Sequence, residues 1–162
     1  MIQHLLVHTD GSENAGRALH FSAQVIDHHQ PAEVTVLYVH LPVPIVPPMA
    51  TGVPALVPEI PLESTMAANE EREETERAQA RQMVDWAVED LRRLLPSPDI
   101  HVTGRVVAGS RVDESILRVA QETHADMIVV GTRGVSALRG AIMGSVSHAL
   151  IAKAECPVLV VK

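Results

Sequence analysis

The sequence has little of what stabilises small secreted proteins or marks membrane spans. Among its 162 residues there is one cysteine, Cys156, so no internal disulfide can form and a reducing compartment is favoured. The N-terminal residues lack the basic start and apolar core of a signal peptide, and no apolar run approaches the roughly 18 residues of a membrane helix. We therefore expect a cytoplasmic protein with no membrane partner.

Aromatic residues and net positive charge are also scarce. Aromatic side chains make up 2% of the sequence while hydrophobic residues make up 46%, so the core has to be built from aliphatic side chains, as buried parallel strands are. The formal net charge of -7 gives no general attraction to a phosphate backbone. Nucleic acid is therefore not an expected partner.

Short aliphatic runs alternate along the chain with longer segments whose apolar residues recur at helical spacing. The runs predict five strands, at 2–8, 33–39, 101–107, 127–130 and 158–161. Four segments between and after them have the apolar spacing of amphipathic helices. This alternation predicts a single α/β domain over 1–162, with an open twisted parallel sheet and helices on both faces. In such a sheet a ligand binds beyond the carboxyl ends of the strands.

One proline-rich segment interrupts the alternation. Seven of the eleven prolines lie between Leu41 and Leu62. Because proline fixes φ and lacks an N–H, we predict a loop inserted after the second strand, over 41–68. Its many apolar residues leave two interpretations open, an insert that covers the domain and a lid or partner-docking surface. The charge run at 70–77 that follows is typical of a solvated helix start, with i, i+4 pairs of opposite sign.

The glycine-rich segment after the fourth strand carries the strongest functional pattern. Gly131 and Gly134 follow that strand, and Gly144-Ser145 opens the last helical segment. Glycine lets backbone N–H groups approach an anion, and the free N–H groups of a helix start favour negative charge. Arg133 and Arg139 add cationic groups from the same loop. The spacing predicts a phosphate site, although the same residues also suit a turn and a helix cap.

The common machinery of nucleotide hydrolysis and metal binding is missing. The pattern G-x-x-x-x-G-K-[ST] occurs nowhere, and Asp10-Gly11-Ser12 after the first strand is not G-x-G-x-x-G. His4 and His8 share a face of the first strand but lack an evident third ligand, so no metal site is predicted. Ser147 and His148 are neighbours on a helix and cannot pair. We therefore assign no catalytic residue and expect slow or absent turnover.

These motifs, taken in order, resemble the universal stress protein family along nearly the whole chain. The matching segments are 9–12, 38–40, Gly109, 125–134, 144–146 and 156–161. Members of that family that bind ATP share the pattern G-x2-G-x9-G-[ST], which is complete here in Gly131, Gly134, Gly144 and Ser145. The resemblance implies a Rossmann-like sheet, similar to that of adenine nucleotide alpha hydrolases, with strand order 3-2-1-4-5.

The same resemblance implies that the ligand is ATP, with Mg²⁺, and it names the contacting residues. Asp10 and the main chain around Val39 are expected at the adenosine end. The ribose and first phosphates are assigned to Val130, Gly131 and Gly134, and the outer phosphates to Gly144, Ser145 and Val146. Thr9, Gly109 and Arg133 complete the predicted cofactor-binding set. His8 departs from the family pattern, since many relatives have a small apolar residue or proline there.

Three functions follow as hypotheses. The first is a nucleotide-binding regulatory protein whose ATP occupancy is recognised by a protein partner. The second is a slow ATPase or phosphoryl-transfer enzyme, in which Asp10, Arg133 and Arg139 are the available groups. The third is an interaction module that uses the loop at 41–62. The resemblance also implies a homodimer through the last strand, whose aliphatic edge would otherwise be exposed.

Overall fold

The structure is a computed structural model that describes residues 2–26, 32–42, 62–95, 97–134 and 143–162, with the side chains of the third range described from residue 66 onward. Strands and helices alternate along these residues. The strands are β1 His4–His8, β2 Ala32–His40, β3 Ile100–Ala108, β4 Met127–Gly131 and β5 Val158–Val161. The helices are α1 Glu13–Val25, α2 Leu62–Leu94, α3 Val112–Glu122 and α4 Ser145–Lys153.

The five strands form one parallel sheet in the order β3-β2-β1-β4-β5. This confirms the predicted fold class and strand order. β1 pairs with β2 on one side and with β4 on the other, so the strand order reverses next to β1. The first strand begins at His4 and not at Ile2, because the N–H groups of Gln3 and His4 donate to the Asp126 carboxylate, each at 2.8 Å.

Helices cover both faces of the sheet, as predicted. On β1, Leu5 and Val7 point to one face and Leu6 to the other, since side chains alternate along a strand. The first face packs against buried side chains of α1 and α2, namely Ala18, Leu19, Ala23, Ile26, Val84, Val88 and Leu91. The second face packs against α3 and α4 through Ile116, Val119, Ala120 and Leu150.

Helix α2 is far longer than the others and corrects one sequence prediction. It begins at Leu62, so residues 62–68, which we predicted as part of the loop, are helical. The reason is that no proline occurs between Pro61 and Pro96, so nothing interrupts the hydrogen-bond ladder. The rest of the proline-rich loop, from residue 43 to residue 61, lies outside the described residues. Its role as cover, lid or docking surface stays a prediction.

The 33 residues of α2 give it a length of about 50 Å. Its fully buried side chains begin at Ala80, and every described side chain from 66 to 79 is exposed or half-buried. The N-terminal half of α2 therefore contributes little to the core. Despite its length, neither α2 nor any other helix in the described ranges is apolar enough to cross a membrane.

Candidate functional site

A cavity of about 670 Å³ opens at the carboxyl edge of the sheet. Its described lining comes from the ends of β1, β2 and β4, the middle of α2 and the first turn of α4. This is the place where the strand order reverses next to β1, and open α/β sheets bind ligands at that place. Small-molecule sites typically have volumes of roughly 300–1,000 Å³. Position and size therefore make this cavity the candidate site.

The cavity brings together most of the residues predicted from the sequence. Those that line it are Asp10, Val39, Gly131, Arg133, Gly134, Gly144, Ser145 and Val146. They come from segments far apart in sequence, which meet because parallel strands end at the same edge of the sheet. The predicted Arg139 lies outside the described residues.

Thr9, Gly109 and Val130 were predicted with this set but do not line the cavity. Thr9 is buried, and its N–H donates to the Leu37 carbonyl at 2.9 Å. Gly109 donates its N–H to the His40 carbonyl at 3.0 Å, and a Cβ there would collide with Ser115 at the start of α3. Val130 alternates with Gly131 along β4, so its side chain points into the core shared with α3 and α4.

The first turn of α4 is fixed against the end of β4. The Gly144 N–H donates to the Thr132 carbonyl at 2.7 Å, and the Ser147 hydroxyl donates to the Gly131 carbonyl at 2.7 Å. Gly144 is the N-cap and makes no side-chain cap hydrogen bond, because glycine has no side-chain oxygen. The N–H groups at Ser145 and Val146 therefore face the cavity without a side-chain cap from Gly144. Such a helix start favours an anion.

Asp10 lies in contact with the loop that follows β4. Its Oδ1 accepts from the Ser12 N–H at 3.0 Å, and the Ser12 hydroxyl donates to the Arg133 carbonyl at 3.3 Å. A Cβ built on Gly134 would collide with Asp10 Oδ2. A side chain at 134 would therefore displace the Asp10 carboxylate from its present position, which gives a physical reason for the second glycine of the pattern.

Three buried polar atoms in the described part of the chain have no hydrogen-bond partner, and two belong to residues that line the cavity. These two atoms are His40 Nε2 and Arg133 Nε; the third is Thr132 Oγ1. A buried polar group without a partner is costly, and such groups concentrate where a ligand completes the bonding. The cavity therefore has unused hydrogen-bonding capacity at both its β2 side and its β4 side.

His8 ends β1 and lines the cavity beside Asp10. Burial lowers the pKa of His8 to about 4, against the opposing effect of the Asp10 negative charge. Desolvation dominates because the imidazolium would lose its hydration where few groups replace it. His8 therefore lines the site as a neutral imidazole at neutral pH.

Sequence reasoning missed the wall that α2 contributes. Its cavity-lining residues are Arg72, Glu76, Gln79, Ala80 and Met83, and they face Tyr38, His40 and Leu41 of β2 and its end. The only available signal was the i, i+4 spacing of Arg72 and Glu76, which we interpreted as a solvated ion pair. That pair does form, with Arg72 Nε 2.7 Å from Glu76 Oε1, but it forms at the cavity. Among the described residues no group of three or more His, Cys, Asp or Glu could hold a metal ion.

Comparisons with known proteins identify the family to which the chain belongs. The model of the universal stress protein family matches residues 1–162. A universal stress protein of Thermus aquaticus, from the QAH/OAS sulfhydrylase 3'region, is 30% identical with 100% of each chain covered. Universal stress protein YxiE of Bacillus subtilis is 28% identical, also with 100% of each chain covered.

Solved structures show the same fold at lower identity. The hypothetical protein MJ0577, from Methanocaldococcus jannaschii, has a TM-score of 0.77 at 24% identity, covering 100% of this chain and 96% of that one. A universal stress protein in complex with cAMP has a TM-score of 0.65 at 20% identity, covering 99% and 96%. One from Archaeoglobus fulgidus in complex with dAMP has a TM-score of 0.57 at 22% identity, covering 100% and 98%.

Proposed function

Because the chain belongs to the universal stress protein family, we propose that it binds an adenine nucleotide, with ATP as the preferred ligand, in the cavity beside β1. The proposal rests mainly on the hydrogen-bond donors at the β4–α4 end of the cavity. There the glycine N-cap of α4 and half-buried Arg133, whose buried Nε has no hydrogen-bond partner among the described residues, line the same end. Both groups donate to anions. The cAMP and dAMP complexes of structurally similar proteins support an adenine nucleotide as the ligand.

The proposed pose follows from the difference between the two ends of the cavity. Main-chain N–H groups at Ser145 and Val146, with Arg133, would bind the phosphates, while Gly144, whose N–H donates to the Thr132 carbonyl, would line the same end. The apolar and amphipathic lining between β2 and α2, which includes Tyr38, would enclose the base. Asp10, which lies against the loop after β4, is the residue that would hold Mg²⁺ if the ion accompanies the nucleotide. The ion would neutralise phosphate charge when bound.

We propose a regulatory role for this binding, because Glu76 and His40 lie at the β2 end of the cavity, away from the proposed phosphate end, where Asp10 and Arg133 are the charged side chains. The proposed partners are a regulatory protein that recognises the nucleotide state and a second copy of the chain. The copy would pair through β5, the edge strand whose residues 158–161 are all only half-buried. Light scattering of the purified protein tests self-association. The proposed location is the cytoplasm.

The experiment that tests ATP binding is calorimetric titration of the full chain with Mg²⁺ present. Gly134→Ala places a methyl group against Asp10 Oδ2 and should weaken ATP binding, because the Asp10 carboxylate has to turn away from the loop after β4. Gly16→Ala is the matched control, since nothing lies within 4 Å of a Cβ at that helix position. It should bind as the wild type does. Absence of ATP binding by the wild type would refute the proposal.

A further inference from the structure

The β2 end of the cavity contains a buried imidazole without a partner. His40 is the last residue of β2, is 5% exposed and lines the cavity. Its Nε2 has no hydrogen-bond partner among the described residues. A buried polar nitrogen without a hydrogen-bond partner destabilises the folded state. Because His40 lines the cavity, a bound ligand is the expected source of a hydrogen-bond partner for Nε2.

Glu76 of α2 presents a second polar atom beside that nitrogen. Arg72 Nε donates to Glu76 Oε1 at 2.7 Å, which fixes the carboxylate. The other oxygen, Oε2, lies 3.7 Å from His40 Nε2, beyond hydrogen-bonding distance. Both residues line the cavity. They therefore offer an imidazole nitrogen and a carboxylate oxygen side by side, too far apart to satisfy each other.

This pair lies away from the anion-binding end. β1 separates β2 from β4 in the sheet, and the first turn of α4 is fixed to the end of β4. The lining that β2 and α2 contribute around them includes Tyr38, Ala80 and Met83, which are apolar or amphipathic, together with the polar Arg72 and Gln79. A nucleotide with its phosphates at α4 would direct its base toward this end. The pair then faces the polar edge of the base.

We propose that His40 and Glu76 bind this edge and determine the preference for adenine, an inference that rests on the proposed nucleotide site. Adenine presents an exocyclic amino donor beside a ring nitrogen acceptor. Glu76 Oε2 accepts from the amino group, and the Nε2–H of His40 donates to the ring nitrogen. Guanine and hypoxanthine carry an oxo group where adenine has the amino group, and that oxygen would face the carboxylate. Arg72 acts as a positioning residue for Glu76.

Glu76→Gln tests this assignment, with the affinities for ATP and ITP measured by calorimetry. ITP carries an oxo group where ATP has the amino group and keeps the N7 acceptor beside it. The wild type should prefer ATP, and E76Q should bind ATP about tenfold more weakly, as expected for loss of a charged hydrogen bond. Most of the preference over ITP should disappear, because a carboxamide can donate to the oxo group. Glu73→Gln is the control, since Glu73 pairs with Arg77 on the same helix.

His40→Phe provides a second measurement. Because Nε2 has no partner in the ligand-free protein, an apolar ring should leave the melting temperature unchanged or raise it, while ATP affinity falls. A lower melting temperature with unchanged ATP affinity would assign His40 a structural role and overturn the inference. If E76Q had the same ratio of ATP affinity to ITP affinity as the wild type, the inference would also be overturned, while the proposed ATP site would remain intact. No nucleotide binding by the wild type would refute both proposals.

Discussion

His8 should make the stability of this protein depend on pH in the range from about 6.5 to about 4. Burial at the end of β1 lowers the pKa of its imidazole from 6.5 to about 4, so the folded state disfavours the protonated ring. The unfolded chain binds that proton at higher pH. The stabilisation is therefore fully present above pH 6.5 and is lost as the pH falls toward the folded pKa.

The size of the effect follows from the two pKa values. One pKa unit corresponds to about 1.4 kcal/mol, so complete protonation would cost about 3 kcal/mol of unfolding free energy. At pH 5 the linkage relation gives a loss of about 2 kcal/mol relative to pH 7.5. A loss of that size is a large fraction of the 5–15 kcal/mol typical of a folded domain.

The assay is urea unfolding at about pH 7.5 and about pH 5 for the wild type, His8→Val and His101→Val. Valine suits a strand and carries no proton, so His8→Val should lose about 2 kcal/mol less than the wild type between the two pH values. His101→Val removes one exposed histidine from β3 and controls for the loss of any histidine. Equal losses in the wild type and His8→Val would refute the reasoning.

Two further predictions concern contacts that fix the ends of the strands. Ser147→Ala removes the 2.7 Å hydrogen bond to the Gly131 carbonyl. It should lower the unfolding free energy by about 1 kcal/mol and weaken ATP binding, read from urea unfolding and calorimetry. Asp126→Ala removes an acceptor that bonds the Gln3 and His4 N–H groups, and these bonds hold the pKa of the Asp126 carboxyl below its usual range. Because the side chain is exposed, we expect a loss of about 1 kcal/mol at neutral pH, shrinking as the pH falls through that pKa. If the difference in unfolding free energy between the wild type and Asp126→Ala stayed the same as the pH was lowered, the hydrogen bonds to the carboxylate would not be its cause.

The fold was predictable because it depends on local patterns. Aliphatic runs and helical spacing gave the parallel sheet, and the placement of Gly131 and Gly144 gave the β4–α4 end of the cavity. Strand alternation was also sufficient to exclude the Val130 side chain from the cavity, because it follows Ile128 on the core face. The assignment of Val130 to the ribose and first phosphates, which the resemblance implies, stays a prediction.

The α2 wall was not predictable in the same way. The i, i+4 pair of Arg72 and Glu76 has the same spacing on a solvated helix as at a cavity, so only the packing of α2 distinguishes the two. The lowered pKa of His8 could not be predicted from the sequence either, because desolvation depends on residues that are distant in sequence. Tertiary contacts decide both features, and sequence spacing carries no information about them.

The two ends of the cavity use different chemistry, and this separates affinity from selectivity. At the β4–α4 end the donors are mainly main-chain N–H groups, which in the proposed function would bind a phosphate of any nucleotide. At the β2 end the polar groups are the side chains of His40 and Glu76, which differ in donor and acceptor character. The described side chains of α2 from 66 to 79 lie outside the core, so they can change without a large loss of stability. Substitutions at the cavity-lining residues of this half, Arg72, Glu76 and Gln79, should therefore alter which nucleotide is preferred while the β4–α4 end stays intact.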